Sequence, residues 1–228
     1  MTKYVILDIE TTSLDRKLGD LWEVATITYD TARPEGGYQE WWWQVRPNLC
    51  FADPKALQIS RYYERAKMLA KEVGMGVQLA TSDWKSDLIS YKQGDFIENA
   101  TAEEIAWTLA QQLDGAVIVA NNPSFDRDFL AKFLRENGQA LTASHRMEDV
   151  RVMLTGYVYG RLAAMDGDVD EAFNAQATPH VRDWLDGATN TLSWEVVGVT
   201  QPYDTRHTAL GDARLVRDLF AAITRGVK

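Results

Sequence analysis

The sequence predicts an α/β protein on three observations. The chain opens with an apolar run of two-residue period, carries a continuous apolar run of strand length at Ala116–Ala120, and follows that run with amphipathic helical segments. In Tyr4-Val5-Ile6-Leu7-Asp8-Ile9-Glu10-Thr11-Thr12, the strand period places Tyr4, Ile6, Asp8 and Glu10 on one face and Val5, Leu7 and Ile9 on the other.

Leu21 to Tyr29 alternates as a second strand and Tyr38 to Val45 as a third, with Gly36-Gly37 in the turn between them, so the sheet starts antiparallel. After Pro47 the pattern turns helical, with a short helix expected over Tyr63 to Val73. It then loosens through Gly74, Gly76, Asp83 and Gly94, and residues 62–98 read as a peripheral insertion. Thr101 and Glu104 form a capping-box pair flanked by Ala100 and Ile105, and Ile105, Leu109 and Leu113 stripe the helix that starts there. Gly115 ends that helix, and Ala116–Ala120 suits a strand covered on both faces. The helix after Asn121-Asn122-Pro123-Ser124 is striped by Phe129, Leu130, Phe133 and Leu134. Residues 155–190 carry mixed charge, scattered glycine and no sustained period, as a second insertion with one or two short helices would. The chain closes with a helix from Ala209 to Arg225, striped by Leu215, Val216, Leu219, Phe220 and Ile223. The expected organisation is one domain over residues 1–228 with insertions at 62–98 and 155–190.

At 228 residues the chain can bury one sizeable core. Its single cysteine, Cys50, cannot close an internal disulfide, and the first residues lack the charged-then-apolar pattern of a signal segment, so a cytoplasmic setting is expected. No apolar run approaches the roughly 20 residues that cross a bilayer, and no membrane association is expected. A net charge of −9 argues against a protein that coats nucleic acid by neutralising phosphates. It leaves room for a nuclease, in which bound metal ions supply positive charge where the phosphate must go.

Three segments carry acids where the local pattern predicts burial. Asp8 and Glu10 stand side by side on one strand face, Asp126 lies in the first turn of the Phe129/Leu130 stripe, and Asp212 lies one turn before Val216. Unpaired, each would cost several kcal/mol or take up a proton. Convergence on divalent cations removes the problem, and oxygen-only ligands suit Mg²⁺ or Mn²⁺. His207, five residues before Asp212, is a titratable base beside this group. Taken singly each residue has a plainer explanation: helix capping or dipole pairing for Asp126 and Asp212, a solvated strand face for Asp8 and Glu10, a surface or cap residue for His207. Their joint occurrence is what points to a metal site. Glu23 lies on the apolar phase of the second strand and reads as a hydrogen-bonded structural acid, and core or edge packing accounts for Trp41-Trp42-Trp43 better than base stacking does.

Leu7-Asp8-Ile9-Glu10-Thr11-Thr12-Ser13-Leu14, Asn121-Asn122-Pro123-Ser124-Phe125-Asp126 and His207-Thr208-Ala209-Leu210-Gly211-Asp212-Ala213 together resemble, in order, the three signatures of the DEDDh 3′–5′ exonucleases, a family that includes proofreading subunits, RNase T and oligoribonucleases. Trp22-Glu23-Val24-Ala25 is similar to the family's second strand, Ala56 to Ser60 to its post-strand segment, and Leu192 to Val199 to the helix before the third signature. The sequence departs from the family at Ser13, where glycine is usual, and at Asn121, where histidine is frequent.

The resemblance implies a ribonuclease H-like fold: a five-stranded mixed sheet whose first three strands are antiparallel, with helices on both faces. It implies two Mg²⁺ or Mn²⁺ ions, with Asp8 bridging them, Glu10 and Asp212 on the first and Asp126 on the second largely through water. His207 would be the general base, active when neutral, so that turnover rises with pH through its titration. Backbone at Thr11 and the side chain of Leu14 would press on the terminal nucleotide, with Phe125 near its pocket. The activity implied is removal of nucleoside 5′-monophosphates from 3′ ends, with DNA favoured. Single-stranded or frayed 3′ ends would be the substrate, and a polymerase or other replication protein a partner. An inactive exonuclease-like scaffold subunit, an RNA-trimming exoribonuclease and a different ribonuclease H-like enzyme are the competing expectations.

Overall fold

A computed structural model describes residues 2–30, 38–65, 89–92, 95–97, 101–166, 197–202 and 205–225. Its centre is strand β1 (Lys3–Thr11), which pairs antiparallel with β2 (Leu21–Asp30) on one side and parallel with β6 (Val117–Ala120) on the other. Beyond β2 lies β3 (Gln39–Gln44), and beyond β6 lies the short parallel strand β7 (Met147–Asp149). These five strands form the expected mixed sheet, with its first three strands antiparallel. Two further short strands, β4 (Ile89–Lys92) and β5 (Asp95–Ile97), extend it past β3, giving the order β5-β4-β3-β2-β1-β6-β7. Part of the expected insertion at 62–98 therefore belongs to the sheet.

The two-residue period of β1 divides the core. Val5, Leu7 and Ile9 face helices α2 (Ala102–Leu113) and α3 (Pro123–Glu136), packing with Ile105, Leu109, Phe129 and Leu130. Ile6 faces the other way, joining Val119 to α4 (Val150–Asp166) through Val150 and Leu154, and to α5 (Ala209–Arg225) through Ala209, Ala213, Val216 and Leu219. Helices cover both faces. The Trp run obeys the same alternation: Trp41 and Trp43 stack at 5.5 Å on the α2/α3 side, and Trp42 turns to the α5 side. All three pack against the core, and Trp42 also donates its Nε1 hydrogen to Glu23.

Helix α1 (Pro54–Ile59) follows β3, starting with proline at its first position, where no N–H is needed, and capped by Asp53. The chain is helical again at 62–65; the rest of the helix expected over Tyr63 to Val73 and the turn at Gly36-Gly37 lie outside the described residues. Helix α4 runs without a break through 155–166, the start of the segment expected as an insertion at 155–190, and Leu154 packs it on the sheet; the rest of that segment, with the short helices expected in it, lies outside the described residues. Of the helix expected over Leu192 to Val199, only 197–199 is described. It forms a turn, with Gly198 in the left-handed region at φ 73° that ends a helix rather than continuing one.

The capping box of α2 forms as expected. Thr101 N–H donates to Glu104 Oε2 at 2.6 Å, and Glu104 N–H to Thr101 Oγ1 at 3.2 Å. Thr101→Ala is expected to lower the unfolding free energy by about 1 kcal/mol and the melting temperature by ~2–4 °C, measured by thermal circular dichroism, with Mn²⁺ affinity unchanged.

Candidate active site

Asp8 and Glu10 extend the Tyr4–Ile6 row toward the carboxyl end of β1, so both carboxylates stand on the α5 side of the sheet. Asp212, in the first turn of α5, meets them there. One carboxylate oxygen from each of Asp8, Glu10 and Asp212 lies within 4.8 Å of the others, and all three residues are half-buried. Across the β1–β2 ladder Asp8 faces Ala25, and Glu10 faces Glu23. The register slips just after Glu10, a bulge that increases local twist at the edge of the site.

Asp126 reaches the group from the other side of β1. It is 3% exposed and sits close enough to Asp8 for their charges to interact, but outside the set of three. Its position follows from a mismatch of strand lengths. The β1–β6 ladder ends at Ile6–Val119, and three residues further along β1 the N–H of Ile9 donates to the Asp126 carboxylate, as does the N–H of Asp126 itself. Asn122, in the left-handed region at φ 70°, turns the chain from β6 into α3 ahead of Pro123.

His207 is exposed and has a left-handed backbone at φ 56°. Its N–H donates to Asp212 Oδ2 at 3.1 Å, and Gln201 Nε2 donates to Asp212 Oδ1 at 2.5 Å. Gly211 makes the turn possible: a Cβ there would lie 2.1 Å from the Thr205 carbonyl oxygen. Beneath this segment Glu23 is fully buried and accepts from Trp42 Nε1 at 2.8 Å, Gln44 Nε2 at 2.9 Å, the Ala209 N–H at 2.9 Å and the Arg65 guanidinium. The expectation of a hydrogen-bonded acid at Glu23 holds. Arg65 and Gln201 were not anticipated: Arg65 lies in the segment read as a peripheral helix, 42 residues from Glu23 and 142 from His207, and Gln201 lies outside any periodic segment, 11 residues from Asp212.

Of the residues expected to touch substrate, Thr11 is buried and its hydroxyl donates to the Ser13 carbonyl at 3.0 Å. Leu14 is 75% exposed. Phe125 is half-buried against Phe129, with the Arg16 guanidinium 6.0 Å from its ring centre. Ser13, where glycine was the usual residue, fits because Gly19 lies opposite: a Cβ on Gly19 would stand 2.9 Å from that of Ser13.

This concentration of acids raises its own proton affinity. Burial pushes the Asp8 carboxyl well above the ordinary range, and the neighbouring charges of Asp212, Asp126, Glu10 and Glu23 push it further. Burial, with Glu23 and Asp212, raises Glu10 to about 8 against the opposing Arg65 charge. Burial raises Asp126 to about 8, opposed by its two N–H donors, and raises Asp212, opposed chiefly by Gln201 and then His207. A converging set of hard oxygen donors that repel one another fits a divalent cation of the Mg²⁺ or Mn²⁺ kind. Asp8, Glu10 and Asp212 are placed to share one.

No family model and no curated protein sequence matches the chain. Among solved structures it is similar to the zinc-bound form of an E. coli ExoI–ssDNA complex, at 12% identity and a TM-score of 0.48, with 99% of this chain and 41% of that one covered. It is also similar to an exonuclease I at 13% identity and TM-score 0.47, covering 99% and 41%. A third is the moderately thermophilic exonuclease I of Methylocaldum szegediense, at 16% and 0.45, covering 99% and 40%. The chain thus spans about two fifths of the length of these structures. The fold and the chemistry of the site rest on the topology and geometry above.

Between the ordinary carboxylate range and about pH 8, the folded chain keeps protons at Glu10 and Asp126 that the unfolded chain has released. These groups therefore weaken the metal-free fold increasingly as pH rises through that window, and not below it. In the presence of a chelator, Glu10→Gln and Asp126→Asn are expected to melt above the parent at about pH 8 and nearly level with it at about pH 4. Added Mn²⁺ should raise the parent's melting temperature more than either variant's. Parallel melting profiles across this range would contradict the assignment.

Proposed function

We propose that this chain is a metal-dependent 3′–5′ exonuclease, hydrolysing phosphodiester bonds at single-stranded or frayed 3′ ends, DNA favoured, and releasing nucleoside 5′-monophosphates. The observation that carries this reading is the convergence of Asp8, Glu10 and Asp212 from β1 and α5 within 4.8 Å, with Asp126 beside Asp8 and His207 joined to Asp212. Acids alone could serve a structural cation. An exposed imidazole next to them adds a base with access to water and to an incoming strand.

Asp8, Glu10 and Asp212 would hold one ion, and Asp8 with Asp126 a second. Mg²⁺ or Mn²⁺ bound there would supply Lewis-acid chemistry, polarising the scissile phosphate and stabilising the charge that develops on its oxygens. The remaining work belongs to the chain itself. His207 takes the proton from the attacking water, and Asp212 orients the His207 segment through its N–H. Exposed Leu14 would offer an apolar contact for the last base, with the backbone at Thr11 and the ring of Phe125 as further contacts.

Incubation of 5′-labelled single-stranded DNA and RNA of matched sequence with Mn²⁺ is expected to give a ladder shortening from the 3′ end, with nucleoside 5′-monophosphates as product and no ladder from Asp8→Ala. An intact oligonucleotide in both cases would overturn the proposal, and internal cuts would indicate an endonuclease. His207→Ala is expected to lower kcat by about 10²–10⁴-fold while isothermal titration still detects Mn²⁺ binding. Turnover equal to the parent's would remove His207 from the reaction.

A further inference from the structure

Arg65 makes more connections around the site than any role as a surface cation requires. Its side chain is 11% exposed. One terminal nitrogen, Nη2, pairs with Glu23 Oε1, and the other, Nη1, donates to the Ser60 carbonyl at 3.1 Å and to the His207 carbonyl at 3.0 Å. The guanidinium also lies over the Trp22 ring, 4.8 Å from its centre, which fixes its plane. Glu23 in turn uses Oε2 to accept the Ala209 N–H, one of the amides that the first turn of α5 leaves without an intrahelical partner.

These bonds close on His207. A non-glycine residue at φ 56° holds a disfavoured backbone and keeps it only if its surroundings fix both sides. The N–H side is held by Asp212 and the carbonyl side by Arg65, while two residues on, the chain is pinned by Glu23. We propose that Arg65 is a positioning residue for the reaction, acting through His207: paired with buried Glu23, it clamps the His207 carbonyl and so sets where the imidazole stands relative to the acidic group. This deepens the exonuclease reading and rests on it. The planar fork of arginine meets Glu23 and two carbonyls at once, a geometry that the single ammonium of lysine does not reproduce.

The test is a double-mutant cycle on 3′-end removal with Mn²⁺, using the parent, Arg65→Gln, His207→Ala and the double variant. Arg65→Gln is expected to lower kcat by about tenfold or more with KM changed by less than about threefold, and the double variant is expected to be no slower than His207→Ala alone. Losses that multiply, or parental kcat in Arg65→Gln, would overturn the proposal. A second readout does not depend on activity. The chain has three histidines, so the imidazole C–H resonances of His145, His180 and His207 can be told apart, and Arg65→Gln should move or broaden that of His207 while leaving the other two in place. An unmoved His207 resonance would also overturn it. If Arg65→Gln fails to fold, Arg65→Lys, which keeps a charge beside Glu23, carries the same comparisons and the same expected outcomes. A parent enzyme inactive on every 3′ end would defeat the exonuclease reading, and the resonance would still decide whether Arg65 governs His207.

Discussion

The end of β1 keeps like charges together in a partly dry place, and much of the surrounding structure can be understood as a response to that constraint. Asp8 and Glu10 are adjacent because a strand turns alternate residues to one face, and Asp212 joins them because α5 packs over that face. Burial is the first cause of raised proton affinity at every one of the four acids, and repulsion from neighbouring acids, Asp149 and Glu23 among them, adds to it. Such a cluster lowers the stability of the metal-free protein at neutral pH. The rest of the core must outweigh it, and the two apolar layers on either side of the sheet do so.

What tempers the repulsion is largely polar contact rather than opposite charge. Asp126 accepts two backbone N–H groups, and Asp212 accepts the Gln201 amide and the His207 N–H. Arg65 is the cation that opposes the raised affinity of Glu10, and it is itself neutralised by Glu23. The arrangement leaves the carboxylates positioned yet short of positive charge. That shortage is what a divalent cation would meet.

Much of this was legible in the sequence, and the reasons differ from residue to residue. Asp8 and Glu10 could be placed because strand period is local, and Asp126 and Asp212 because each lies on a helical stripe defined by its own neighbours. The same local logic located the capping box at Thr101 and the alternation of Trp41, Trp42 and Trp43. Arg65 and Gln201 could not be placed so, since what gives them meaning is contact with Glu23, His207 and Asp212 across the fold. The strands at Ile89–Lys92 and Asp95–Ile97 were hidden for another reason. Each is short, and the pairing of the first with β3 and of the second with the first depends on an edge whose availability no local pattern announces.

The early end of β6 has a consequence for how this sheet could change. A strand is ordinarily thought to gain from every added rung, since each one satisfies further backbone groups. Here pairing continued alongside β1 as far as Ile9 would compete for its amide and strip Asp126 of one of its two donors. A longer β6 would thus take the Ile9 amide from Asp126, whereas β4 and β5 enlarge the sheet at its far margin without touching that bond.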